Sequence, residues 1–361
     1  MDNTQHSSHT IKERITTRDS NMELLRIVAT LLILVVHANY FSQGSPQWEC
    51  FTQNTYYSIW MVLCQSLSIV CVNLFVLISG WFGIKPRLKG FFNFIFQCLF
   101  YSTAIYITAL LCGFSDLTFK GIAQVLYATK LGWFIKAYIG LYILSPVLNL
   151  FIEHSSKRVY EIVLIVFFIF QSTYGWLGNA YFFNEGYSTH SFIGLYLLAR
   201  YIRIYKPRFS QLPKSIELLT YIGISLIVTT LIVSLPIIGE GWGNLARVAK
   251  AIYNRHHYLF DYLAPTVIIS SVALLLFFSK LNIQSKLINW SAASSFSAYL
   301  THANPNITPY YTTAVLYFYA TYSLPVAILY TGLMILGIYL ASTDTVPKKC
   351  VSPNNAIFVK L

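Results

Sequence analysis

The chain has 361 residues, of which 56% are hydrophobic and only 11% are charged. A soluble domain carries about a quarter charged residues, so this composition excludes an ordinary soluble enzyme and indicates a polytopic membrane protein. The formal net charge of +12 raises the possibility of a nucleic-acid partner. The basic residues, however, lie between long apolar segments, and this placement argues against nucleic acid.

Apolar runs of about 20 residues recur along the chain, which is the length that a helix needs to cross a bilayer. These runs do not alternate apolar and polar residues, as the strands of a membrane β-barrel do. The predicted fold class is therefore all-α, a polytopic helical bundle in the membrane. We expect ten transmembrane helices, at 22–41, 57–80, 91–114, 132–152, 159–178, 190–205, 216–237, 258–279, 288–302 and 319–341. Residues 1–21 and 342–361 are predicted to be polar tails that flank a membrane domain at 22–341.

The basic residues are divided unequally between the two sides of this arrangement. If the first tail is cytoplasmic, the inner segments contain eighteen lysines and arginines and the outer loops contain five. The outer five are Lys120, Lys130, Arg247, Lys250 and Arg255. This is the positive-inside distribution of membrane proteins, and it predicts that both termini are cytoplasmic.

The first predicted helix contains three polar side chains within an apolar run, ELLRIVATLLILVVHA at 23–38. Arg26 and His37 are eleven residues apart, which is about 16 Å along a helix and within about 20° of the same face. Glu23 lies three residues before Arg26 and can pair with it. Intramembrane ionisable side chains usually face the bundle interior and mark a functional site. The alternative is that Glu23 and Arg26 anchor the helix at the membrane surface, while His37 bonds to a neighbouring helix.

Arg26, ten intervening residues and His37 begin a series of short motifs. The others are VNLFVLISGWF at 72–82, WFIKAYIGLYILSPVLNLF at 133–151, FIGLYLLARYIR at 192–203 and SFSAYLTHANP at 295–305. In composition and order, the series resembles the acyltransferase-3 family of integral membrane O-acyltransferases. The similarity spans residues 21 to about 340. Glu23 before Leu-Leu-Arg, and Asn-Pro after His302, resemble members that modify bacterial surface polysaccharides.

The resemblance implies transfer of an acyl group, expected to be acetyl, from acyl-CoA to a hydroxyl of a bacterial surface glycan or its lipid-linked precursor. This reaction needs a base that accepts the hydroxyl proton, and an imidazole with its ordinary pKa of about 6.5 suits that task. The resemblance implies four catalytic residues, namely His37, His302, Arg26 and Glu23, with one or both histidines as the base. The expected location is the bacterial cytoplasmic membrane.

Acetyl-CoA is then expected as a donor substrate, with no permanently bound cofactor. The other expected partners are the glycan acceptor and membrane lipids. No metal site is expected, because the six cysteines lack metal-ligand spacing.

The phosphates of acyl-CoA need cationic partners on the cytoplasmic side. The candidates are Arg26, Lys85, Arg87, Lys89, Arg200 and Arg203. For any one of the loop residues, the alternative is that its charge serves topology alone. Four further polar residues are candidates to line a cavity, namely Lys136, Asn73, Ser79 and Asn304. Asn73 and Ser79 are also typical of polar contacts between membrane helices.

The late motif departs from the family pattern at Ala303, where an acidic residue is expected after the histidine. An adjacent carboxylate that orients His302 is therefore not implied.

Two other functions remain open from the residues themselves. A transporter or flippase of a lipid-linked oligosaccharide would use the polar face of the first helix as a translocation path, but few charged residues are available to line it. A polysaccharide polymerase typically has a large outer loop, whereas the longest one expected here covers only 238–257.

Overall fold

A computed structural model of the chain describes residues 19–126 and 132–344. These residues contain no β-strand, which confirms the predicted all-α class. The α-helices are, in chain order, α1 Ser20–Val36, α2 Cys50–Gln53, α3 Thr55–Ser68, α4 Cys71–Phe82, α5 Leu88–Leu111, α6 Phe119–Leu126, α7 Trp133–His154, α8 Lys157–Phe170, α9 Thr189–Tyr205, α10 Lys214–Gly239, α11 Ala246–Tyr253, α12 Pro265–Ser279, α13 Lys286–Ala292, α14 Ser295–His302, α15 Thr308–Thr321 and α16 Leu324–Asp344.

Eight helical segments of the described residues are long and apolar enough to cross a bilayer. They are Ser20–Phe41, Thr55–Phe82, Leu88–Leu111, Trp133–His154, Lys157–Leu177, Lys214–Gly239, Ala246–Ser279 and Leu324–Thr343. On α16 the exposed leucines 329, 333, 336 and 340 recur every three or four residues, as expected for a helix face that contacts lipid. These features identify a multi-pass membrane protein, and the count of ten spans stays a prediction.

Prolines explain two differences between the predicted and observed helices. The predicted helix at 319–341 covers the end of α15 and most of α16. The structure divides it, because the chain is extended at Tyr322 between the two helices. Pro325 lies in the first turn of α16, where its missing N–H leaves no hydrogen bond unmade. The predicted helix at 258–279 begins only at Pro265, which likewise occupies the first turn of its helix.

The predicted helix at 288–302 is also divided. Its two parts are α13 and α14, which are separated by a turn at residues 293 and 294. The second part, α14, ends at His302.

Helix α1 lies at the centre of the bundle, where it packs against α3, α4, α12, α13, α14 and α16. Its fully buried positions include Leu25 and Ala29. Glu23, Arg26 and Thr30 are buried as well. The polar face predicted for this helix is therefore enclosed by other helices rather than exposed at a surface.

Close packing of α4 against α9 depends on a glycine. A Cβ atom added to Gly80 would lie 2.5 Å from the carbonyl oxygen of Tyr196 and 2.9 Å from the Cβ of Ala199. Both neighbours belong to the framework of α9 and cannot rotate away. The Ser-Gly pair of the second motif thus has a structural use at its glycine.

We predict that Gly80→Ala destabilises the protein by about 1–3 kcal/mol, because the new methyl group forces α4 and α9 apart. Gly223→Ala is the matched control, since no atom lies within 4 Å of a Cβ at that position in α10. Alanine there should be neutral, or stabilising by about 0.5–1 kcal/mol. Thermal unfolding in detergent measures both, and equal melting temperatures for the two variants would contradict the packing argument.

Candidate active site

Two histidines that are 265 residues apart in sequence meet at the end of α1. His302 Nε2 lies 3.0 Å from His37 Nδ1, within hydrogen-bond distance. The ring centroids are 4.9 Å apart, and the His37 ring also stacks on Phe41. His302 is almost fully buried, whereas His37 is half-buried. The structure thus brings together the two histidines that the sequence motifs single out.

The remaining contact of His302 determines which nitrogen carries each proton. His302 Nδ1 lies 2.9 Å from the carbonyl oxygen of Ala298, one turn earlier in α14. A carbonyl only accepts, so His302 Nδ1–H donates to it, and Nε2 of the neutral ring is then an acceptor. His37 Nδ1–H must therefore donate to His302 Nε2. This leaves His37 Nε2 unprotonated, with its lone pair available.

The backbone around His37 departs from a regular α-helix. Residues His37–Phe41 form a π-helical turn that follows α1, and Asn39 has φ −92° and ψ −113°. The Asn39 amide donates from Nδ2 to the carbonyl oxygen of Met61 in α3, at 2.8 Å. This bond ties the distorted turn to a neighbouring helix. π-Helical turns of this kind occur frequently at functional sites.

Hydroxyl groups satisfy the backbone carbonyls of both histidines. Ser42 Oγ donates to the carbonyl oxygen of His37 at 2.5 Å, and Thr308 Oγ1 donates to that of His302 at 3.0 Å. Buried carbonyls without a partner are costly in a low-dielectric interior. The two hydroxyls therefore stabilise the ends of α1 and α14 where the rings meet.

Arg26 and Glu23 form the predicted ion pair. Arg26 Nη1 lies 2.6 Å from Glu23 Oε2, and both side chains are more than nine-tenths buried. Mutual neutralisation lets both charges remain inside the bundle. Within the described residues, Arg26 Nε has no hydrogen-bond partner, so one N–H of this buried guanidinium is free to donate.

The basic segment between α4 and α5 is held by side chains of other helices. Asn149 of α7 donates from Nδ2 to the carbonyl oxygen of Ile84 at 2.8 Å, and its Oδ1 accepts from the Tyr196 hydroxyl at 2.7 Å. The same hydroxyl accepts from the Ile84 N–H at 3.0 Å. Tyr142 accepts from the Arg87 N–H at 2.9 Å and lies 3.0 Å from the Arg87 carbonyl, to which it donates.

The side chains of Lys85, Arg87 and Lys89 remain exposed. Their loop is thus preorganised while its cationic groups stay available to a ligand.

Two arginines of α9 lie against the end of α4. Arg200 Nη1 is 3.4 Å from the carbonyl oxygen of Trp81, and the Arg203 guanidinium lies 4.8 Å from the centroid of the Trp81 ring. Gly83 has φ +78°, and a Cβ there would come within 3.2 Å of Arg200. Glycine at this position therefore allows both the turn and the approach of Arg200.

We call Lys85, Arg87, Lys89, Arg200 and Arg203 the basic end of the bundle. It gathers the C-terminal ends of α4 and α9 and the N-terminal end of α5. The chain leaves α1 beside His37 and returns through α3 and α4, so the histidine pair lies at the opposite end. Arg26, in the second turn of α1, is the nearer of the two motif residues to the basic end.

The remaining predicted cavity residues have different positions. Asn304 follows α14 and lines a cavity of about 300 Å³ between the ends of α5, α7 and α14. Lys136, a predicted cavity residue, lies in the first turn of α7 and is exposed.

Asn73 and Ser79 connect helices. Asn73 donates to the carbonyl oxygen of Tyr262 at 3.0 Å. Ser79 shares a 3.1 Å hydrogen bond with Tyr138 of α7. Neither residue is among those that line the cavity beside Asn304.

Sequence reasoning missed the residues that support the site. Asn39, Ser42 and Thr308 lie within a few residues of the histidines, and their polarity in apolar surroundings was an available signal. Tyr142 and Tyr196 had no such signal, because tyrosine is abundant in this chain. In the described residues, no group of three His, Cys, Asp or Glu side chains is arranged to hold a metal ion.

A family model described as an acyltransferase domain matches residues 19–343. The chain belongs to the acyltransferase-3 family. The match covers almost the whole chain and includes the five motifs. It favours a membrane acyltransferase over a flippase or a polymerase. Neither the curated proteins nor the solved structures include a significant match to this chain.

For this acyltransferase we predict that Tyr142→Phe loosens the basic segment without unfolding the bundle. The variant loses both bonds to the Arg87 backbone, and a hydrogen bond contributes about 1 kcal/mol. Loss of both bonds, about 2 kcal/mol together, should accelerate amide exchange in residues 83–92 about 30-fold. Tyr174→Phe, at an exposed position of the turn that follows α8, is the control and should leave the exchange rate unchanged. An unchanged rate in Tyr142→Phe would show that other contacts hold the loop.

Proposed function

We propose that this acyltransferase transfers an acetyl group from acetyl-CoA to a hydroxyl of a bacterial cell-surface polysaccharide or of its lipid-linked precursor. The observation that carries the proposal is the hydrogen bond from His37 to His302, because it leaves His37 Nε2 as an available base. Family membership supports acyl transfer. The glycan acceptor is supported by the resemblance of two details to polysaccharide-modifying members, namely Glu23 before Leu-Leu-Arg and Asn-Pro after His302.

In the proposed reaction, the acceptor oxygen attacks the thioester carbonyl carbon while His37 Nε2 takes the hydroxyl proton. The tetrahedral intermediate collapses by breaking the carbon–sulfur bond, and the departing sulfur receives the proton from His37. During the step His37 becomes an imidazolium. His302 Nε2 accepts a hydrogen bond from the Nδ1–H of His37 and stabilises the imidazolium charge, as the orienting residue of a catalytic triad does.

The donor is proposed to enter from the basic end. Its phosphates then meet the five cations there, and its pantetheine arm extends along α1 towards His37. Arg26 contacts the donor on this path, with the N–H that Glu23 leaves free. About 16 Å separates Arg26 from His37 along the helix. Acetyl-CoA is in this account a substrate rather than a resident cofactor.

The proposal includes cytoplasmic termini and a location in the bacterial cytoplasmic membrane, surrounded by its lipids. One observation, together with the proposed donor, supports this orientation. The predicted inner segments hold most of the basic residues, and acetyl-CoA is supplied on the cytoplasmic side, where the basic end would then face. The acceptor would approach the histidines from the outer side.

We expect His37→Ala to lower the transfer rate by about 10² to 10⁴-fold, the usual effect of removing a positioned base. Its melting temperature should stay close to that of the wild type. His302→Ala should lower kcat about 10- to 100-fold, because His37 loses the acceptor that orients it, and His302→Gln should recover part of the loss through its carbonyl oxygen. Transfer from acetyl-CoA by purified protein in lipid measures these effects.

The matched control is His257→Ala, which removes an exposed histidine after α11 and should retain full activity. Full transfer activity in a well-folded His37→Ala protein would defeat the mechanism. Equal losses in the His37 and His257 variants would assign the effect to something other than the base.

We expect Arg26→Lys to weaken acetyl-CoA binding about tenfold. Lysine keeps the charge but lacks the fork of N–H groups that serves Glu23 and the donor together. Calorimetric titration of the protein in nanodiscs measures the affinity, with the exposed Arg255→Lys as the control. Indistinguishable affinities for Arg26→Lys and the wild type would remove Arg26 from the donor site.

A further inference from the structure

We propose that the cavity lined by Tyr299 and Asn304 binds one sugar unit of the acceptor next to the histidine pair. This inference rests on the proposed function and assigns the acceptor a site. The cavity has a volume of about 300 Å³, which is the lower limit for small-molecule sites. It suits one sugar ring and is too small for a nucleotide coenzyme.

The position of the cavity separates it from the proposed donor site. Helix α5 begins at the basic segment, its second half lines the cavity, and α14 ends at the cavity. Tyr299 lines the cavity, and its ring centroid lies 5.9 Å from that of His302. Neither His37 nor His302 lines the cavity. Tyr299 connects the cavity to His302, so a ligand there lies next to the histidine pair without contacting it in this structure.

Two buried donors line this cavity. The Tyr299 side chain is nine-tenths buried, its ring packs against Phe134 and Phe296, and no hydrogen bond in the described residues uses its hydroxyl. Asn304 is buried to a similar degree, and its Oδ1 accepts from the Asn306 N–H at 2.9 Å. That bond fixes the amide and leaves Asn304 Nδ2 to donate. Buried polar groups need partners, and sugar hydroxyls can supply them.

The wall opposite α14 is fixed before any ligand binds. The Tyr106 hydroxyl donates to the carbonyl oxygen of Asp116 at 3.0 Å, and the Gly121 N–H donates to Thr118 Oγ1 at 3.0 Å. A Cβ at Gly121 would lie 2.3 Å from the Tyr106 hydroxyl oxygen, so glycine is needed for this approach. The loop that follows α5 is thereby held against the cavity.

The charges of the lining indicate an uncharged ligand. Asp116 and Lys120 carry opposite charges and are both exposed, while the other polar lining side chains are neutral hydroxyls, amides and the thiol of Cys98. A phosphate or a nucleotide would require an excess of cations. An uncharged sugar with several hydroxyls fits both the volume and the donors.

The test measures how the transfer rate depends on acceptor and donor separately. Purified protein in liposomes receives labelled acetyl-CoA and increasing amounts of glycan extracted from the source cells, with lipid-linked and water-soluble fractions titrated apart. We expect Tyr299→Phe and Asn304→Asp each to raise the acceptor KM about tenfold and to leave the acetyl-CoA KM unchanged. Asn304→Asp keeps the oxygen that accepts from Asn306. The fraction that shows the shift identifies the source of the sugar.

Matched controls are Tyr181→Phe and Asn254→Asp, which make the same chemical changes at exposed positions and should leave both KM values unchanged. If either cavity variant unfolds, Gly132→Ala provides the test instead. The new Cβ atom would lie 2.9 Å from the Tyr299 hydroxyl oxygen. This variant should therefore raise the acceptor KM by obstructing the cavity.

An unchanged acceptor KM in folded cavity variants would overturn the proposed sugar site and leave the proposed function intact. Absence of transfer by the wild-type protein to every fraction would instead overturn the proposed function, and the sugar site with it.

Discussion

The hydrogen bond between His37 and His302 depends on a constraint of the membrane interior, where polar groups need partners that water cannot supply. The Ala298 carbonyl accepts from His302, His302 accepts from His37, and His37 Nε2 is left with a lone pair. Moving the His302 proton from Nδ1 to Nε2 would leave the Ala298 carbonyl without its donor. One backbone oxygen thereby sets the protonation of two side chains, and it replaces the carboxylate that the residue after His302 does not provide.

The polar groups of the bundle are divided between its two ends, and α1 connects them. At one end, exposed cations stand on a loop whose backbone is bonded to Tyr142, Asn149 and Tyr196. At the other, the histidines adjoin a cavity with neutral donors. The Glu23–Arg26 pair lies between them as a neutralised, buried contact. In the proposed account, this division lets a phosphorylated donor and an uncharged acceptor approach the same base from opposite sides.

Much of the fold follows from local patterns. Long apolar runs predicted helices, and the spacing of Glu23, Arg26 and His37 predicted a shared face that the structure encloses. The break between α15 and α16 was missed because Pro325 begins a helix within an apolar run that looks continuous. The partners of the site were less predictable. Residues such as Met61 and Ala298 take part through backbone carbonyls, which any residue type carries, and the cavity depends on contacts between segments far apart in the chain.

The central claim concerns a single nitrogen, and ¹⁵N nuclear magnetic resonance of protein labelled at histidine tests it most directly. Spectra of the wild type in nanodiscs, assigned with His37→Ala and His302→Ala, report which ring nitrogen of each histidine is protonated. The account predicts protons on Nδ1 of both rings and an unprotonated Nε2 on His37. A His37 ring that carries its proton on Nε2 would have no base to offer an acceptor, and would contradict the account.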